Sequence, residues 1–128
     1  MSPDNPLPAH VKRERRLTEE KLPAGTRLLC VDGIYGWLYT IVDGLGERYT
    51  MFAYHDGSGY SVKVVEPTVE GRFSPHSGHL FYDGRICFGP PGLTLSSLDQ
   101  AFAKSVLWAN GFTVFLRTGT FPFSVNNI

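Results

Sequence analysis

Residues 26–65 read TRLLCVDGIYGWLYTIVDGLGERYTMFAYHDGSGYSVKVV, and the fold turns on how this stretch is divided. Four β-rich runs, TRLLCV, IYGWLYTIV, RYTMFAY and YSVKVV, are separated by Asp32-Gly33, by Asp43-Gly44 and by the Asp56-to-Gly59 turn. β-Branched and aromatic residues suit a pleated, half-buried surface, and Asp-Gly pairs supply the backbone that tight hairpins need. The spacing predicts an antiparallel meander of four strands.

Helical signals lie on either side of the meander. Upstream, HVKRERRLTEEKL (residues 10–22) contains good helix formers, with Val11, Leu17 and Leu22 as its clear apolar contacts. This predicts a short, mostly solvated helix ended by Pro23 and Gly25. Residues 1–9, with Pro3, Pro6 and Pro8, are expected to be a mobile N-terminal segment, leaving 10–128 as a single domain. Downstream, residues 66–92 are rich in turn formers and predict irregular chain. LSSLDQAFAKSVLWAN (95–110) reads as the one main C-terminal helix, capped by Ser96 or Ser97, with a stripe of Leu98, Phe102, Val106 and Ala109 and a stop at Gly111. Residues 112–128 fit either a final strand or packed coil. The fold class is α+β.

Composition narrows the function. A chain of 128 residues makes one domain, burying roughly 65–70% of its unfolded surface. Twelve basic residues balance twelve acidic ones, so no global charge calls for nucleic acid, and no segment is apolar for long enough to span a bilayer. Two cysteines and no charged-then-apolar leader fit a reducing, cytoplasmic setting. Cys30, inside an apolar run, reads as a core residue, and a Cys30–Cys87 disulfide is disfavoured in that setting. Trp37 and Trp108 read as core anchors.

Chemistry concentrates in Asp83-Gly84-Arg85-Ile86-Cys87-Phe88-Gly89-Pro90-Pro91-Gly92. Glycine and proline flanks place the Cys87 thiol at an element end or on a loop, accessible to a bulky partner. Cys87 is the candidate nucleophile, against the plainer reading of a structural cysteine at a bend. His76 and His79 precede it by eleven and eight residues. Either would orient the loop or donate to an oxyanion, or would simply hydrogen-bond irregular backbone. Zinc held by His76, His79 and Cys87 has poor spacing and no fourth ligand, so no metal and no cofactor are expected. Asp83 would steer an approaching amine, or form only an Asp-Gly turn.

Element order and local motifs together resemble the ubiquitin-conjugating enzymes. Trp37-x-x-x-Ile41 with Gly44, Tyr49 and Phe52 looks like that family's strand pair, Pro67-x-Val69 and His76 fall near its proline-rich stretch and motif histidine, and Gly84-Arg85-Ile86-Cys87 is similar to its Gly-x-Ile-Cys active site. His76-Ser77-Gly78-His79 stands where the family has His-Pro-Asn, and Phe88-Gly89-Pro90-Pro91-Gly92 follows the cysteine. Both features are like those of compact bacterial members, encoded in operons for antiviral defence with a ubiquitin-like protein, an activating enzyme and often a metalloprotease that removes the modifier.

The resemblance implies a ubiquitin-conjugating fold in which Cys87 accepts a ubiquitin-like protein from the activating enzyme as a thioester and passes it to an amine on a protein substrate. It also implies that the basic side chains of the first helix, Lys12, Arg13, Arg15 and Arg16, meet an acidic surface of the activating enzyme. Two rivals stand beside this reading. One is a non-catalytic module of the same fold that scaffolds the ubiquitin-like protein or its activating enzyme. The other is a redox or metal protein using both cysteines and the histidines.

Overall fold

A computed structural model describes residues 7–73, 77–89 and 93–123. Helix α1 (Ala9–Lys21) is followed by strands β1 (Arg27–Val31), β2 (Ile34–Val42), β3 (Arg48–His55) and β4 (Tyr60–Glu66), and then by helix α2 (Leu98–Thr118). The four strands form one antiparallel sheet in the order β1-β2-β3-β4, so the chain is α+β. Asp32 and Gly33 turn β1 into β2 with φ of 52° and 81°, the left-handed pair a two-residue hairpin requires.

Strand alternation sends one set of side chains inward. Trp37, Tyr39 and Ile41 of β2, Tyr49, Met51 and Ala53 of β3, and Val62 and Val64 of β4 are all buried, and register places Trp37 opposite Ala53, Tyr39 opposite Met51 and Ile41 opposite Tyr49. The other face of the sheet carries Phe52 and Tyr54, whose rings stack at 5.6 Å. Gly36 lies beneath Phe52: a Cβ there would come within 2.3 Å of the ring. Glycine at this site lets the aromatic ring cross the neighbouring strand.

Helix α2 covers the inward face, and here the structure corrects the sequence reading twice. It runs 21 residues, from a Ser97 cap whose hydroxyl accepts the Gln100 N–H to Gly119 at φ 81°. Gly111 does not stop it. Two rings of the tail close over it instead, so that a Cβ would lie 2.4 Å from the Phe121 ring and 2.9 Å from that of Phe123. Gly119 adopts the left-handed turn that ends a helix, and its N–H caps the Phe115 carbonyl at 2.8 Å. The first part of the tail, expected as strand or coil, is thus helical, and Phe121 folds back on the helix.

The buried stripe also differs. Leu98, Ala101, Ser105, Trp108 and Phe112 face the sheet, whereas Phe102 and Val106 are only partly covered. Polar Ser105 and Thr113 belong to the covered face because tyrosine hydroxyls meet them. Tyr39 pairs with Ser105 and Tyr49 with Thr113, each at 2.6 Å. Thr113 in turn donates to the Asp43 carboxylate in the β2–β3 turn, and Gly44 donates to the Asn110 side chain at 2.9 Å.

Cys30 also departs from expectation. It is exposed, not a core residue, because it lies near the end of β1, an edge strand whose burial fades toward Val31. Trp37 and Trp108 are buried, as read. No helix among the described residues is long and apolar enough to cross a membrane.

Candidate active site

The segment from His79 to Cys87 is a small loop pinned to the edge of the sheet. Phe81 and Arg85 close its turn, Phe81 N–H donating to the Arg85 carbonyl at 2.8 Å and Gly84 N–H to the Phe81 carbonyl at 3.0 Å. Gly84 sits at φ 90°, a conformation that disfavours any other residue. The returning limb continues the sheet beyond β4: Val64 N–H reaches the Gly84 carbonyl, Ile86 N–H the Val62 carbonyl, and Lys63 bridges Arg85. Leu80 and Ile86, paired across the loop, are both buried. They fasten the loop to the core by apolar contact.

Cys87 closes this limb. Its N–H donates to the His79 carbonyl at 2.8 Å, its thiol is half-buried, and Sγ donates to the Gly89 carbonyl at 3.4 Å. Neighbouring Ile86 and Phe88 point into the core. Strand-like alternation therefore turns the Cys87 side chain outward, and the backbone that carries it is held on one side by the sheet. Sheet-edge pairing and alternation thus keep the thiol in a fixed place while leaving it reachable.

His79 is half-buried with φ 53°, and its ring meets Phe121 edge-on at 4.5 Å. Burial lowers its pKa and favours the neutral imidazole. The loop below it hangs from α2, since Trp108 Nε1–H donates to the Gly78 carbonyl at 2.9 Å. His76 lies outside the described residues.

Asp83 is exposed and committed to Arg85. It accepts the Arg85 N–H at 3.1 Å and its Nε–H at 2.7 Å. Partial burial pushes the Asp83 carboxyl up, but the Arg85 N–H and guanidinium outweigh it and hold the group below the usual carboxylate range. Arg85 also lies over the Phe81 ring, 4.9 Å from its centre. The charge of Asp83 is therefore matched by the cation that it orders.

On α1 the four basic candidates, Lys12, Arg13, Arg15 and Arg16, are all exposed. Arg16 forms an i,i+4 pair with Glu20 at 3.0 Å, its side chain 86% exposed. Such a pair costs little to break. The helix docks through Val11 and Thr18, and unexpectedly through Glu14, which is buried at 8% exposure. Sequence reasoning missed Glu14. Its position three residues after Val11 and four before Thr18 was the available signal, hidden by its charge.

Comparison with protein-family models, with curated proteins and with solved structures finds no match.

Proposed function

We propose that this chain is a ubiquitin-conjugating-type transferase that carries a ubiquitin-like protein as a thioester on Cys87. The carrying observation is the placement of that thiol. It is partly buried, with Sγ donating to the Gly89 carbonyl, and alternation with buried Ile86 and Phe88 turns it away from the core, on a backbone fixed by the Cys87-to-His79 and Ile86-to-Val62 hydrogen bonds. The order of elements also fits: a first helix, a four-stranded meander, a pinned loop with the cysteine, then a long helix.

In this reading the Cys87 thiolate attacks the carbonyl carbon of the modifier's thioester on the activating enzyme. The new carbon–sulfur bond forms as the old one breaks, and the activating enzyme's cysteine leaves as thiolate. An amine of the protein substrate then attacks the same carbonyl carbon and loses a proton. An amide forms and the Cys87 thiolate leaves. Thioester exchange is nearly isoenergetic, so the protein's task is chiefly positioning. A free thiol supplies enough thiolate near neutrality for so activated a carbonyl. The pinned loop supplies the positioning, and the exposed bases of α1 supply the contact with the activating enzyme. A cytoplasmic setting and a genomic neighbourhood of modifier, activating enzyme and deconjugating metalloprotease belong to the same proposal.

The test is charging. Wild-type protein incubated with its modifier, activating enzyme and ATP should give an adduct that thiols cleave, because thioesters exchange with thiolates. Cys30→Ala should still form it. Cys87→Ala should not, and Cys87→Ser should give at most a thiol-resistant oxyester. A thiol-labile adduct on Cys87→Ala, or none on wild type with its cognate partners, would overturn the transferase reading. Modifier binding without any adduct would leave the non-catalytic module in its place.

A further inference from the structure

Glu14 is a carboxylate at the seam between α1 and the sheet. The residue is more than nine-tenths buried, and its Oε2 has no hydrogen-bond partner among the described residues. Polar groups from several elements act on it: His10 from α1 itself, Tyr60 at the start of β4, Trp37 of β2 and His55 at the end of β3. Helix α1 also packs against α2, where Asp99 accepts a hydrogen bond from Lys21 at 3.3 Å. The two histidine rings are 6.1 Å apart, and His55 meets Tyr60 edge-on at 5.1 Å. Arg13, one residue before Glu14, acts on Tyr60. No three His, Cys, Asp or Glu side chains among the described residues are placed to hold a metal ion.

We propose that the docking of α1 on the sheet is proton-linked through Glu14, and that the helix seats tightly with a proton on Oε2 and loosens when that proton is lost. An ionised carboxylate with one unpaired, buried oxygen bears a desolvation cost that a protonated one does not. Burial accordingly raises the Glu14 pKa, against the opposing pull of His10, Tyr60, Trp37 and His55. A folded-state pKa above the unfolded value gives stability that is complete below the unfolded value and is lost as pH rises through the folded one. The linkage is a property of the chain by itself, whatever α1 binds. Because α1 also carries Lys12, Arg13, Arg15 and Arg16, proton release at Glu14 would change how that basic face is presented.

Two indoles make the test self-referenced. Trp37 faces Glu14, whereas Trp108 donates to the Gly78 carbonyl elsewhere in the core. In a nitrogen–proton NMR titration of the wild-type protein, the Trp37 indole signal should move along the curve of the Glu14 carboxyl carbon, with an inflection above pH 4.5, while the Trp108 signal stays in place. Amide exchange of α1, corrected for the intrinsic pH dependence, should speed up severalfold over the same interval. Glu14→Gln should flatten both responses, and His55→Gln should move the midpoint upward. An α1 whose protection does not vary with pH, or one that keeps the wild-type pH response in Glu14→Gln, would overturn the proposal. Should Glu14→Gln fail to fold, the wild-type titration decides alone: a Trp37 signal that ignores the Glu14 carboxyl titration refutes the linkage. None of these readouts involves charging, so they succeed or fail separately from the transferase reading.

Discussion

At the scale of single residues, buried hydroxyls and carboxylates do work that apolar patterning does not reveal. Thr113 receives the Tyr49 hydroxyl and donates to Asp43, which also accepts the N–H groups of Leu45 and Glu47. Burial pushes the Asp43 carboxyl up, but the Thr113 hydroxyl and these N–H groups outweigh it, so its pKa is lowered. Stability from Asp43 is therefore present above its unfolded value of 3.8 and lost as pH falls through the folded one. Thr113→Val keeps the shape and removes the relay. It should cost about 1–3 kcal/mol, by leaving the Tyr49 and Asp43 groups short of a partner. Thermal melts at pH 7 check the size of the loss, and a series down to pH 3 should show a shallower acid limb in the variant than in the wild type. At the candidate loop, Cys87→Ala should cost under about 1 kcal/mol, because a single partly exposed sulfur buries little apolar area. A much larger fall in melting temperature would mark Cys87 as structural.

At the scale of elements, the two helices respond to substitution for different reasons. Gly111→Ala raises intrinsic helix propensity by about 0.5–1 kcal/mol, yet its methyl would collide with Phe121 and Phe123. The collision should win, with a net loss of about 1–3 kcal/mol by overpacking. Circular dichroism should show α2 intact, while Phe121 leaves the His79 ring. An unchanged or higher melting temperature would mean that the tail yields at no cost. On α1, reversing Lys12, Arg13, Arg15 and Arg16 to glutamate alters exposed side chains only. The fold should survive, and charging by the activating enzyme should slow steeply at low salt. Wild-type charging rates in that variant would remove α1 from the partner surface.

At the scale of the whole molecule, the core and the candidate site are joined by one long side chain. Trp108 is fully buried between the sheet and α2, stacks on Phe112 at 4.5 Å and holds the Gly78 carbonyl. From there the chain passes through His79, whose carbonyl positions Cys87. Trp108→Phe retains most of the apolar volume and deletes the N–H. Leaving the Gly78 carbonyl unpartnered should cost about 1–3 kcal/mol, and amide exchange at residues 77–80 should accelerate more than exchange in β2 and β3. Uniform acceleration would instead show that Trp108 supports only the global fold.

What the sequence determined by itself was local. Alternating apolar residues between Asp-Gly turns specified four strands and their order, since period-two burial and left-handed turn residues act within a few positions of each other. The Gly/Pro flanks of Cys87 specified a thiol outside regular structure for a similarly local reason. The tertiary structure decided every point that depends on what lies across the core. Gly111 reads as a stop until Phe121 is seen against it, and the true stop, Gly119, is told apart only by its positive φ. Ser105 and Thr113 read as polar positions until tyrosine hydroxyls from the sheet meet them. Cys30 reads as core until its strand proves to be the edge. Glu14 reads as a solvated charge until the fold buries it. In each case the residue's own chemistry is unchanged, and burial by chain distant in sequence gives that chemistry its consequence.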